Sequence, residues 1–300
     1  MTSPPETISS PGSEPSVQHV IEARSDRSLA SDQDGARTSE AVSWRSARQI
    51  GSRWGAPILL AAGAISIWEI AVRLNATPPW LLPTPTLIAE TIWTDRALLL
   101  DHAVVTLTEV LLGFLVAVVA GVLLAAVITG SPVIDRALFP LIIASQTVPI
   151  PALSPLLLIW LGYGLAPKVI VTALVAFFPI VVNTVDGLRS TDREIIDLLR
   201  SLGASRWTRF RLAHIPSALP SLFTGAKVAV AISVIGAVFG ELVGAKAGLG
   251  YLLVRSTAQF QTPRVFAVVV MLALLGILLF SLVAIAERLL LPWQRFVTRQ

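Results

Sequence analysis

Charged and polar side chains are scarce in this 300-residue chain, and the places where they gather are where its chemistry must lie. The densest gathering is DLLRSLGASRWTRFRLAHIP, Asp197 to Pro216, with four arginines, a central Gly-Ala pair and a closing proline. Leu198, Leu199, Leu202, Trp207 and Phe210 recur at roughly helical spacing, while Arg200, Arg206, Arg209 and Arg211 lie mainly elsewhere around the axis. Gly203 interrupts the pattern, which predicts two short helices meeting at a glycine turn. Two chemistries fit such a segment. It can lie on anionic headgroups as a basic amphipathic helix. It can also be a docking element presented to a soluble partner, which would use the turn and the proline as well as the arginines.

The remaining candidates sit inside apolar runs. Lys227 and Glu241 share one such run and Asp186 closes another. Ionisable groups at membrane depth are costly, so each must pair with a partner or face a pathway. Gln146 and Thr147, with Ser145 before them and Pro149 after, form a second polar group that would face a pathway. Gly236, Gly240 and Gly244 recur every four residues, with Gly225 upstream. Small residues on one face let backbones approach closely, within one subunit or between two.

Other chemistries find less support, and an ion-gradient-driven transporter is the alternative. Without cysteine there is no disulfide or thiolate metal site, and His19, His102 and His214 make no metal-ligand spacing. The chain has no G-x-x-x-x-G-K-[ST] phosphate loop, so it cannot hydrolyse ATP by that route. An enzyme within the membrane would need His, Asp or Glu clustered at a common depth, and no such cluster is evident. A transporter driven by an ion gradient would show internal repeats; only the prolines of the third apolar run point that way.

These groups are positioned by a chain that is 54% hydrophobic and 14% charged, against about 25% charged for soluble domains. That defines an all-α polytopic membrane protein. The net charge of +4 does not indicate nucleic acid, because the basic residues flank apolar runs. Six runs approach the roughly 20 residues of a spanning helix: 56–72, 104–129, 138–160, 169–185, 219–243 and 265–290. The third contains Pro140, Pro149, Pro151 and Pro155, which must bend it. With both termini in the cytoplasm, thirteen Lys and Arg residues lie inside and six outside, the bias that sets orientation. The Pro-Thr-Pro-Thr turn after Leu82 opens an external, interfacial helix. Trp54, Trp68, Trp80, Trp160 and Trp293 fall near span ends and read as anchors. Residues 1–43 hold seven acids, three arginines and no apolar run, and are expected to be a disordered cytoplasmic tail before a transmembrane domain at 44–300.

The segment from Asp197 resembles a known pattern. Membrane subunits of binding-protein-dependent ABC importers carry Glu-Ala-Ala, three residues, Gly, nine residues, then Ile-x-Leu-Pro. Here Asp197-Leu198-Leu199 is followed at the same spacing by Gly203 and by Ala213-His214-Ile215-Pro216. The acid is shortened, both alanines are leucines, and Ala213 and Ile215 replace the pattern's isoleucine and leucine. The flanks FFPIVVNTVDGLRSTD and SALPSLFTGAKVAVAISVIGAVFGELVGAKAGLGY, with LLPTPTLIAETIW upstream, look like the nitrate/sulfonate/taurine branch. The resemblance spans about Ala56 to Trp293. SQTVPIPALSPLLLIWLGYGLAPKVIV is most similar to permeases for thiamine-pyrimidine precursors, ahead of taurine or alkanesulfonate, nitrate and riboflavin permeases.

The resemblance implies a type I ABC importer permease fold of the methionine-importer type, with six transmembrane helices and a cytoplasmic coupling helix, within 189–217, between the fourth and fifth. It assigns ATPase coupling to Asp197, Leu198, Leu199, Gly203, Ala204, Arg206, Trp207, Phe210, Ile215 and Pro216. Gln146, Thr147, Pro149, Lys227 and Glu241 become pathway candidates, and Gly236, Gly240 and Gly244 become packing or dimer positions. The implied assembly holds two permease copies, two cytoplasmic ATPase subunits and an extracytoplasmic solute-binding protein in a bacterial plasma membrane. ATP and Mg would belong to the ATPase, with no cofactor or metal on this non-catalytic chain.

Overall fold

The computed structural model describes residues 55–293. The tail at 1–43 and the basic positions Arg45, Arg48, Arg53, Arg295 and Arg299 lie outside the described residues. The chain divides into two compact units, Met1–Trp68 and Glu69–Gln300. Residues 55–68, the described part of the first unit, form the start of an apolar helix, α1 (Gly55–Leu74).

The described part of the second unit consists of helices joined by turns and short connections. After the end of α1 come α2 (Pro85–Thr94), α3 (Arg96–Gly130), α4 (Pro132–Ser145), α5 (Ile150–Leu161) and α6 (Leu165–Arg189). They are followed by α7 (Arg193–Ser201), α8 (Arg206–Arg209), α9 (Ile215–Leu242), α10 (Leu249–Ala258) and α11 (Thr262–Leu290). Thr84 caps α2 by accepting from the Leu87 amide at 3.3 Å, and Pro85 supplies a fixed φ where no donor is needed. Among the described residues five helices are long and apolar enough to cross a bilayer, or six if the bent pair α4 and α5 is counted as one broken span.

That broken crossing is where the single span expected over 138–160 gives way. α4 and α5 meet at 95°, with Gln146 to Pro149 in the bend. Pro149 disfavours helical backbone at Val148, and Pro149 and Pro151 withhold two donors from any continuing helix. Pro140 and Pro155, by contrast, stay inside their helices.

α6 is the centre of the core. Every fourth residue of α3 from Gly113 is small and buried: Gly113, Ala117, Gly121 and Ala125. A Cβ at Gly113 would lie 2.5 Å from the Thr172 side chain of α6, and one at Gly121 would lie 2.7 Å from Ile180. On its other side α6 meets α9 with equal intimacy. Gly225 faces the Pro179 carbonyl, Gly236 the Thr172 backbone and Gly240 the Lys168 backbone. The glycines leave room on both seams: short α6 side chains such as Thr172 and Ile180 press directly on the α3 backbone, and α6 and α9 approach closely at Gly225, Gly236 and Gly240. Outward-facing Leu115, Val119, Leu123, Leu274 and Ile277 remain exposed.

The glycine repeat of the fifth apolar run therefore does not form one stripe. Gly236 and Gly240 pack on α6 of the same chain, whereas Gly244 lies beyond the end of α9 in a turn with φ +72°. Pro216 does not close its segment either. The helix runs without interruption from Arg206 to Leu242, and Phe210–His214 wind as a single π turn. Pro216 cannot donate to the Leu212 carbonyl, and the wider turn sits where that bond would have formed.

Candidate functional site

The lever between α6 and α9 is built by local chemistry. Asp192 caps α7 by accepting from the Glu194 amide at 2.8 Å, and Glu194 and Arg200 complement its dipole at opposite ends. α7 ends at a double hydrogen bond: the Gly203 amide donates to Arg200 O at 3.0 Å and the Ala204 amide to Leu199 O at 2.9 Å. This pairing requires a left-handed residue between helix and exit, and Gly203 has φ +76°. Ser205 then caps α8 through the Thr208 amide at 3.1 Å. The first short helix and the glycine turn expected from the sequence are present, but the second helix is not short: α8 continues through the π turn into α9 as one helix from Arg206 to Leu242.

What the lever presents is apolar as well as basic. Leu198, Leu202 and Trp207 are exposed, the last two to 74% and 67%. Asp197 and Arg200 pair at 3.0 Å on the surface. Leu199 and Phe210 are half-buried, and Phe210 stacks with Trp207 at 5.8 Å and approaches His214 at 6.2 Å. Ala204, Arg206 and Ile215 lie along the same element, with Pro216 in the first turn of α9. At its root, Arg189 of α6 pairs with Asp135 of α4 and covers the Phe139 ring at 4.7 Å. His214 Nδ1 sits 3.1 Å from the Thr191 hydroxyl.

At the opposite end of α6 and α9 a second polar cluster is sealed inside the chain. Glu241 is 1% exposed, and its carboxylate accepts from the Thr106 hydroxyl at 2.6 Å and from the Gly250 and Tyr251 amides. Thr106 in turn accepts from the Leu249 amide at 2.8 Å, and His102 Nδ1 accepts from the Gly248 amide at 2.9 Å. The first amides of α10, which have no partners within their own helix, are thus capped from α3 and α9. Glu109, also 1% exposed, pairs with Lys168 at 2.6 Å and lies beside Glu241.

Gln146, Thr147 and Pro149 are exposed at the bend between α4 and α5. Lys227 is bound to Glu287 of α11 at 2.8 Å, the ion-pairing alternative of the sequence reading. Glu241 revises its expectation: it is a buried cap with no face toward an open pathway in this chain. Glu109, Lys168, Thr106, His102 and Glu287 were missed. Their one sequence signal is His102, Thr106 and Glu109 at helical spacing in an otherwise apolar helix.

A helical membrane protein with an exposed lever between two closely packed spans is the class these features define. Residues 117–292 match the family model described as binding-protein-dependent transport system inner membrane component, and the chain belongs to that family of ABC transporter permeases. It is 42% identical over 240 residues to the formylaminopyrimidine transport permease protein ThiX of Halalkalibacterium halodurans, covering 80% of this chain and 96% of the relative. It is 37% identical over 242 residues to the riboflavin transport system permease protein RibX of Chloroflexus aurantiacus, covering 80% and 90%. The fold is shared with the inward-facing MetNI methionine ABC transporter, at TM-score 0.52 and 22% identity over 69% of this chain and 97% of that one. Family membership makes this a non-catalytic transport subunit.

Proposed function

We propose that the chain forms the translocation pathway of an ATP-driven importer for a formylaminopyrimidine-type thiamine precursor. The observation carrying the substrate is the 42% identity to a permease of that name over nearly its whole length. The riboflavin permease at 37% supports the second reading, a flavin-type solute. In the proposed assembly two copies of the chain stand over two cytoplasmic ATPase subunits, which bind ATP and Mg, and an extracytoplasmic binding protein delivers the solute. Both termini and the lever lie on the cytoplasmic side of a bacterial plasma membrane.

The mechanism is mechanical. Leu198, Leu202 and Trp207 fill a groove on the ATPase, with the arginines around them supplying charge complementarity. Closure of the ATPase pushes α7 and α8, and the continuous rod from Arg206 to Leu242 carries the displacement into the bilayer. Because α6 and α9 touch through backbone, they move as one body. The exposed Gln146, Thr147 and Pro149 at the bend of α4 and α5 are our pathway candidates.

The test is uptake into proteoliposomes holding the permease, its ATPase and its binding protein. Labelled formylaminopyrimidine should enter with ATP, and unlabelled riboflavin or taurine should not compete. Uptake of riboflavin alone would transfer the assignment to the second reading, and transport with no ATPase present would overturn the importer mechanism.

A further inference from the structure

A cavity of about 430 Å³ opens beside the lever, between the end of α3, the start of α4, the end of α6, α7 and the π turn. Its lining is mixed. Ile128, Leu188, Ile196 and Phe210 supply apolar wall. Ser131, Thr191, Asp135, Arg189, half-buried His214 and exposed Arg193 supply polar and charged wall.

The basic wall is in excess. Asp135 is taken by Arg189, while Arg193 has no ion pair or side-chain hydrogen bond among the described residues. His214 turns Nδ1 to Thr191, which leaves its Nε2 without a partner among the described residues. Ser131 makes no side-chain cap on α4, so the amides of Val133 and Ile134 at that rim are also unpaired by helix or cap.

We propose that this cavity binds a phosphate-bearing anion, held by Arg193, His214 and the first turn of α4. Guanidinium and imidazole donors with free helix amides are the groups that recognise phosphate oxygens. The anion can come from an acidic phospholipid headgroup or from a soluble phosphate ester. The apolar wall favours the lipid, because a glycerol backbone and first acyl carbons would cover it and a free ester would leave it wet. The site lies at the ends of the apolar helices α3 and α6, where headgroups are found. A bound anion would tie α7 to α4 and α6 and so stiffen the root of the lever. That mechanical consequence rests on the coupling role proposed above; the binding itself does not.

The experiment uses the intact permease–ATPase complex, with bound lipid counted by native mass spectrometry after exchange into phosphatidylglycerol or phosphatidylcholine. Wild type should retain phosphatidylglycerol preferentially, and Arg193→Gln should reduce that preference about fivefold. Ser131→Asp should reduce it similarly while stabilising α4, since aspartate is a good N-cap, so loss of binding there cannot come from misfolding. Arg288→Gln, exposed at the end of α11 and outside the cavity lining, should leave retention unchanged. Glycerol phosphate binding that is lost in the same two variants, without lipid preference, would support the anion site with a soluble source. Unchanged lipid retention in both variants, with no glycerol phosphate binding, would overturn the proposal. No transported solute enters these measurements, so a wrong substrate assignment would not affect them.

Discussion

The two ends of the α6–α9 pair are held by opposite means. At the lever, the caps and turn that set its shape are local: those of Asp192, Ser205 and Gly203 join residues at most five apart. At the far end the decisive bonds are long-range, joining Thr106 to Glu241, His102 to Gly248 and Glu109 to Lys168. An element that must offer its surface to a partner cannot be fixed by burial, so its shape is written into backbone capping. An element sealed inside the protein has no water to satisfy its amides, so its shape depends on polar side chains brought from other helices. The lever should therefore lose function before stability when altered, and the sealed end should lose stability first.

Removing Glu241 is the strongest test. Glu241→Leu leaves the Gly250 and Tyr251 amides without acceptors and the Thr106 hydroxyl with the His102 carbonyl alone, at 3.3 Å. We expect a loss of about 3–5 kcal/mol, read as a lowered thermal midpoint in detergent. Glu241→Gln keeps one oxygen acceptor and should fall between that variant and wild type. Equal stability of Glu241→Leu and wild type would erase the contrast between the two ends.

Close behind comes the α3–α6 seam. In Gly113→Ala the new methyl meets Thr172 at 2.5 Å, a distance real side chains do not adopt, so the helices must separate. The expected cost is about 1–3 kcal/mol. Gly236→Ala, where the new methyl would lie 3.0 Å from the Thr172 backbone, should cost less in the same melting experiment.

Gly203→Val sharpens the comparison from the other side. Nothing lies within 4 Å of the added Cβ, so the only penalty is the left-handed backbone, about 1–2 kcal/mol. The protein should fold and insert, yet substrate-stimulated ATP hydrolysis should be lost as the lever is re-aimed. Gly203→Asn, which tolerates positive φ, should restore much of it. Wild-type stimulation in the valine variant would remove the coupling role from this turn. The smallest effect belongs to Asp197→Ala. Its exposed pair with Arg200 should be worth less than about 1 kcal/mol to stability, measured by the same melting curves.

The lever was legible because its determinants are neighbours in the chain: an acid, a glycine and a basic-apolar period can be read along one line. The sealed cluster was not, although His102, Thr106 and Glu109 stand out in an apolar helix. Nothing in the order of residues says that Glu241 turns inward to cap α10. Gly244 shows the same limit. Four-residue spacing continues through it, but the helix has already stopped at Leu242, and its glycine serves a turn.

Sequence alone determined the apolar helices, the break at Gly203 and the bend among the prolines, because hydropathy, helical period and backbone donors are properties of adjacent residues. Tertiary structure alone decided that Glu109 meets Lys168 across 59 residues, Thr106 meets Glu241 across 135 and His102 meets Gly248 across 146. Inside a bilayer the pairing of polar groups is set by which helices pack together, and that packing is a property of the folded whole.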